Sequence, residues 1–262
     1  MGWHEASARV IEALHGPDFA PSLIAALRTV APFEHSVTFA YRGEDRPIAL
    51  HDEFPAWKRK VMVADYQAGP YLLDPFYLNA RLPPLPRLVR LRSLAPDRFY
   101  QGEYFRNYYV QTELAEEIGF MVDVGQQVSV VISAMRSSRV FSAREFRDLE
   151  AVLPFVAAAA RRNWADLAGA FVERSPDDGG GTALASLIDK AFRSVGRNLL
   201  TLRETEVVEY TLKGYSAEAT GQVLGITPGT VRIHKRNIYA KLQIGSQGEL
   251  FSRFISTLTA LR

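Results

Sequence analysis

From Asn198 onward the chain starts and stops a helix four times within about sixty residues, and the punctuation can be read directly. Thr201-Leu202-Arg203-Glu204 is a capping box, in which the threonine hydroxyl and the glutamate carboxylate serve each other's backbone N–H groups. The helix it opens runs to Lys213 and stops at Gly214. Ser216 caps a second helix that stops at Gly225. Thr227 caps a third, with Pro228 in the first helical position, where its missing N–H does no harm. That helix runs to about Leu242 and is closed by Gly245. Ser246 with Glu249 opens the fourth. Four such starts and three glycine stops predict an all-α, four-helix domain.

Only Gly225-Ile226-Thr227 separates the second helix from the third, the short link of a helix-turn-helix whose second helix enters the major groove of duplex DNA; the motif spans about 216–237. The third helix sorts into faces. Val231, His234, Ile238 and Leu242 recur at helical spacing and should face the core, whereas Arg232, Ile233, Lys235 and Arg236 project elsewhere near its start. Between Ile226 and Gly248 there are four basic residues and no acid, and 199–262 holds eight Lys/Arg against five Asp/Glu in a chain whose net charge is only +2. Arg232 and Arg236 lie one turn apart, so both can reach neighbouring base edges, where a bidentate guanine contact discriminates by about 1–3 kcal/mol. Ile233 suits a thymine methyl. Thr227, Thr230 and the free N–H groups of the helix start suit phosphate oxygens, and Lys235 and Lys241 suit the phosphate backbone.

The blocks Leu202-Arg203-Glu204-Thr205-Glu206-Val207, Lys213-Gly214-Tyr215-Ser216, Leu224-Gly225-Ile226-Thr227 and Thr230 through Leu242 resemble, in order and spacing, the LuxR-type (GerE-like) helix-turn-helix over roughly 197–258. The resemblance implies binding to double-stranded promoter DNA, usually as a homodimer on inverted half-sites. By position it puts Arg232, Ile233 and Arg236 on bases, and Thr227, Thr230 and Lys235 on phosphate. One departure stands out: Thr220-Gly221 occupies the place of the family's usual Ile-Ala. Glycine costs roughly 1 kcal/mol against alanine inside a helix, so the second helix is expected to be marginal. His234 reads as a packed core histidine and Glu206 as a structural carboxylate.

Ser175-Pro176-Asp177-Asp178-Gly179-Gly180-Gly181 is small, polar and flexible, as a linker should be. The expected organisation is a domain over 1–173, a linker with a short helix (Ala183–Val195) over 174–196, and the helical domain over 197–262. In the first domain Trp3–Leu14, Phe19–Val30, Pro55–Gln67 and Asp97–Leu114 read as helices. His35–Tyr41, Pro47–His51, Ile118–Val124 and Val128–Met135 alternate and are rich in strand formers. A long helix starts at Ser142, marked by a Ser142/Glu145 capping box with Phe141 and Phe146 as a staple. Strands in two adjacent pairs between helices predict an antiparallel sheet covered by helices, an α+β sensor-like domain.

Within that domain Trp57, Tyr66, Tyr71 and the pair Asp74-Pro75 resemble the autoinducer-binding domain of LuxR-type quorum sensors, and the whole is similar to GAF or PAS sensors. The resemblance implies a small-molecule effector such as an acyl-homoserine-lactone-like or other apolar ligand, with Asp74 accepting a hydrogen bond from its amide and the aromatics beside it. Phe99, Tyr100, Tyr104, Phe105, Tyr108 and Tyr109 fall on helical stripes that would line a pocket or fill a core. The alternative is a ligand-independent domain that only dimerises or binds proteins. A phosphoacceptor receiver is disfavoured, because no acidic pair ends an early strand.

Composition excludes other classes. With no cysteine there are no disulfides, thiolate metal sites or cysteine nucleophile. The histidines lack metal spacing, and no nucleophile elbow or phosphate-cradling glycine loop is present, so neither an enzyme nor a cofactor is expected. No run of eighteen apolar residues exists and the N-terminus does not read as a signal peptide. The expectation is a cytoplasmic, nucleoid-associated protein that touches DNA, an effector and RNA polymerase but no membrane.

Overall fold

The computed structural model describes residues 2–43, 45–67, 70–94, 114–173, 190–192, 194–196 and 198–260. The linker at 175–181, the helix read over Asp97–Leu114 with its aromatic run, and most of the stripe Ala183–Val195 lie outside them. The described residues divide into two compact units, 2–94 with 114–173 and 190–260.

The first unit is built on a five-stranded antiparallel sheet of β1 (His35–Arg42), β2 (Ile48–Asp52), β3 (Arg87–Arg90), β4 (Glu116–Gly125) and β5 (Val128–Arg136), in the order β2-β1-β5-β4-β3. The alternation read from the sequence sets its two faces. Ala40, Ile118, Phe120, Val122, Val130, Ile132 and Ala134 point into an apolar core against α1 (Trp3–Glu12), α2 (Phe19–Val30), α6 (Ala143–Ala151), α7 (Leu153–Asn163) and α8 (Leu167–Glu173). Edge-on pairs Trp3–Phe155 (5.3 Å) and Phe19–Trp164 (5.1 Å) tie that layer together. The opposite face carries Phe39 and Tyr41 against the chain between 56 and 79. There α3 (Ala56–Arg59) runs on as a π-helical stretch (Lys60–Asp65), followed by a 3₁₀ turn (Pro70–Leu73) and α4 (Pro75–Asn79).

Three local expectations need correcting. β3 and the short α5 (Leu91–Leu94) were not legible: Arg-Leu-Val-Arg is too short and too basic to announce a strand, and pairing with β4 supplies its backbone partners. The helix opened by the Ser142/Glu145 box is present with both reciprocal bonds, but it ends at Ala151, and α7 begins anew with Pro154 in its first turn, where a proline is tolerated. The helix over Pro55–Gln67 is α-helical at its start and π-helical through its middle.

The second unit contains α9 (Leu202–Leu212), α10 (Ala217–Leu224), α11 (Pro228–Leu242) and α12 (Gln247–Ala260). The Thr201/Glu204 box and the Ser216 and Thr227 caps form as read. α11 ends differently: Gln243, not Gly245, takes the left-handed conformation that terminates it (φ 54°). Residues 190–192 and 194–196, read as the tail of the linker, pack into this unit, with Phe192 stacked on Phe254 at 4.6 Å.

Candidate functional site

Each end of the helix-turn-helix is held by a local device. Ser216 Oγ accepts from Ala219 N (3.0 Å) to open α10, and Gly225 turns left-handed (φ 66°) to close it. Thr227 Oγ1 then accepts from Thr230 N (3.1 Å), and the two threonine hydroxyls share a 2.8 Å hydrogen bond. Gly221 explains the departure from the usual Ile-Ala. A Cβ there would lie 2.7 Å from the carbonyl oxygen of Ile226, closer than backbone can yield without moving. The glycine therefore weakens α10 in propensity but lets the turn fold back onto it, leaving an open groove of about 570 Å³ lined in part by Gly221, Gly225, Ile226 and Pro228.

α11 is fastened by Val231, Ile238 and Leu242, all buried; His234, expected among them, is only half-buried. Arg232, Ile233 and Arg236 are exposed together on the other side, and Lys235 is half-buried between the faces. Ile233 is an unusual residue to leave in water, and it stands between two arginines. Arg232 is not loose: its guanidinium pairs with the carboxylate of Glu218 in the first turn of α10. Lys241 is also engaged. Its ammonium lies 2.7 and 2.9 Å from the two oxygens of Glu204, a buried carboxylate that also accepts from Thr201 N (2.8 Å) and Thr201 Oγ1 (3.0 Å). Burial pushes the Glu204 pKa up, and the bonds from Lys241 and Thr201 outweigh it, so the net shift is downward. For Lys241 to reach a phosphate, this pair would have to open. Glu206 pairs with Arg203 (2.9 Å) inside its own helix.

The first unit holds a second cluster. Tyr66 Oη donates to Asp74 Oδ2 (2.6 Å) and Phe76 N donates to Asp74 Oδ1 (2.8 Å), so Asp74 is both the N-cap of α4 and the end of a side-chain chain. Tyr41 Oη lies 2.8 Å from Tyr66 Oη. Because the single phenolic proton of Tyr66 goes to Asp74, Tyr41 must be the donor to Tyr66. Burial raises the Asp74 carboxyl to about 6. Burial, and then the nearby Asp74 charge, hold the Tyr41 phenol well above its usual range. Tyr71 is buried beside them, edge-on to Tyr77 at 5.0 Å and 6.2 Å from Tyr66. Of the residues singled out from the sequence, Tyr66, Tyr71 and Asp74 come together. Trp57 does not: it is 62% exposed, because the adjacent Lys58 takes the buried face of the short α3.

Sequence reasoning missed Tyr41, Glu218 and the carboxylate that holds Lys241. Tyr41 could have been found, since Val37, Phe39 and Tyr41 share one parity of a strand whose other parity faces the core. Glu218 lies fourteen residues before its partner and carries no local signature.

The model of the bacterial regulatory proteins, luxR family (GerE), matches residues 198–254. A chain of Aeromonas salmonicida, named as an HTH-type transcriptional regulator in the exeN 3′ region, is 34% identical over 189 residues, which is 71% of this chain and 94% of that one. Among solved structures, the LBD domain of VqsR from Pseudomonas aeruginosa shares the fold at 24% identity and a TM-score of 0.54, over 62% of this chain and 95% of that one. SdiA of Escherichia coli aligns at 14% identity and a TM-score of 0.38, over 93% of this chain and 92% of its own.

Proposed function

This chain belongs to the luxR family of bacterial regulatory proteins, and on that premise we propose that it is a sequence-specific regulator of transcription that reads promoter DNA through α11. The observation that carries the reading is the exposed triad Arg232, Ile233 and Arg236 on a helix whose opposite side is locked by Val231, Ile238 and Leu242. Arginines one turn apart suit guanine edges, and the isoleucine between them suits a thymine methyl. Thr227, Thr230 and the Gly229 N–H at the start of α11 fit phosphate, with Lys235 alongside. The protein acts by binding rather than by catalysis, as a homodimer whose two α11 helices enter successive major grooves about 34 Å apart. RNA polymerase at the promoter is its further partner, and the nucleoid in the cytoplasm is its place of action; no helix among the described residues is long and apolar enough to cross a membrane. Residues 197–262 carry the DNA-reading function, 1–173 sense or dimerise, and 174–196 connect them.

Footprinting on promoter fragments tests this. Arg232→Ala or Arg236→Ala should abolish the specific footprint while unfolding at the wild-type temperature. Mutants that footprint normally would refute the face assignment, and a monomer on DNA at saturation in sedimentation would refute the dimer.

For the first unit we propose a small apolar effector, acyl-homoserine-lactone-like or otherwise, contacted by Tyr66, Tyr71 and Asp74. A second reading, a ligand-independent dimerisation module, is favoured by the way Tyr66 and Phe76 already engage both oxygens of Asp74 from within the chain. Native mass spectrometry of gently purified protein separates them. A dimer with an adduct that Asp74→Ala removes supports the effector, and a clean dimer supports the module.

A further inference from the structure

We propose that Glu218 is the positioning residue for Arg232, and through it a determinant of base discrimination; the inference rests on the reading that Arg232 faces bases. Glu218 is the only acidic residue between 210 and 248, on a surface otherwise suited to phosphate. A carboxylate there repels DNA, so its presence calls for a compensating role. Its pair with Arg232 does not supply that role through stability. The Arg232 and Glu218 side chains are 63% and 54% exposed, and pairs so open to water contribute little to folding. The other described ion pairs of this unit differ in kind. Arg203–Glu206 lies within α9, Lys213–Glu209 joins α9 to its own C-cap, and Lys241–Glu204 is buried at its acidic end. Arg232–Glu218 bridges the first turn of α10 to α11 across the helix-turn-helix link.

The geometry gives the carboxylate a hold on Arg232. Glu218 Oε1 takes Arg232 Nη2. A guanidinium has five N–H donors on two edges, so one N–H of Nη2 can be held by the carboxylate while an edge stays available for a base. A free arginine must surrender its rotamer freedom when it meets guanine; one already held on α10 has surrendered much of it beforehand. Holding one such side chain alters the affinity for the matching base by about 3–10-fold. The acid also penalises Arg232 for swinging onto the nearest phosphate, the contact that would bind every sequence alike.

The test uses the full chain and a duplex that it selects from a random library, with fluorescence anisotropy on that duplex, on single-base variants of it and on an arbitrary duplex. Arg232→Ala first identifies the base pair whose preference depends on Arg232. Glu218→Gln should then bind arbitrary duplex more tightly and lose about 3–10-fold of the preference at that same base pair. Glu218→Asp keeps the charge but is too short to reach, so it should lose the preference without gaining arbitrary affinity. In the Arg232→Ala background, Glu218→Gln should leave base preference unchanged. The proposal is overturned if Glu218→Gln keeps the preference, or loses it equally without Arg232. If Arg232→Ala itself changes no base preference, the reading of α11 fails first, a result distinguishable from the failure of Glu218 alone.

Discussion

Replacing Lys241 with alanine removes the ammonium that sits on both oxygens of Glu204 and leaves a buried carboxylate held, among the described residues, by Thr201 alone. The carboxylate side chain is 4% exposed and that of the lysine 38%, so water can reach the vacated place but not the whole anion. Stripping one partner from a fully buried pair costs about 3–5 kcal/mol. With the capping bonds intact and one end open, about 1–3 kcal/mol is expected here. For a unit of this size each kcal/mol lowers the unfolding temperature by roughly 4–8 °C. Calorimetry of the full chain should therefore show the transition of the DNA-binding unit displaced downward at pH 7. The difference should fade on acidification. The folded pKa of Glu204 is lowered, so its stabilising contribution is complete above the ordinary glutamate value of 4.5 and is lost as pH falls through the folded value. Once protonated, the carboxyl has no need of Lys241. An unchanged transition combined with weaker binding to every duplex would refute this reasoning and make Lys241 a phosphate contact.

Gly221→Ala should destabilise the same unit by about 1–3 kcal/mol despite its better helix propensity, because its methyl meets the Ile226 carbonyl oxygen at 2.7 Å; a raised melting temperature would contradict this. Gln243→Gly should stabilise by roughly 0.5–1 kcal/mol in chemical denaturation, since the left-handed position at the end of α11 suits glycine. In the first unit, the Asp74 carboxyl is raised from 3.8 to about 6, so the folded state binds more protons than the unfolded one between those values, and stability should fall as pH rises through them. The effect is on the order of 3 kcal/mol at most, and Asp74→Asn should flatten it in urea unfolding at pH 4 and pH 7.

What the sequence made legible is what neighbouring residues decide among themselves. The boxes at Ser142 and Thr201, the caps at Ser216 and Thr227 and the alternation of β1, β4 and β5 are local, and they were readable. β3 was not, because four residues become a strand only beside β4. The break between α6 and α7 was missed because the apolar pattern runs on through Val152 and Pro154. At the DNA face, the exposure of Arg232, Ile233 and Arg236 followed from helical spacing. Their neighbours' demands did not: Glu218 claims Arg232 and Glu204 claims Lys241 across gaps of fourteen and thirty-seven residues. Tyr66 and Asp74 were found by likeness to a family, whereas Trp57 was misplaced because the face of a four-residue helix is set by what it packs against.

The sheet of the first unit divides its labour between its sides. One side is anchored to α1, α2, α6, α7 and α8 through close-packed aliphatic and aromatic contacts, while Tyr41, Tyr66 and Asp74 stand on the other. Successive residues of a strand therefore answer to different requirements: Ala40 is constrained by packing, and Tyr41 by its hydrogen bond to Tyr66 in the chain that ends on Asp74. Descendants of this chain could exchange one parity of β1 for different polar chemistry while the other parity keeps the scaffold standing.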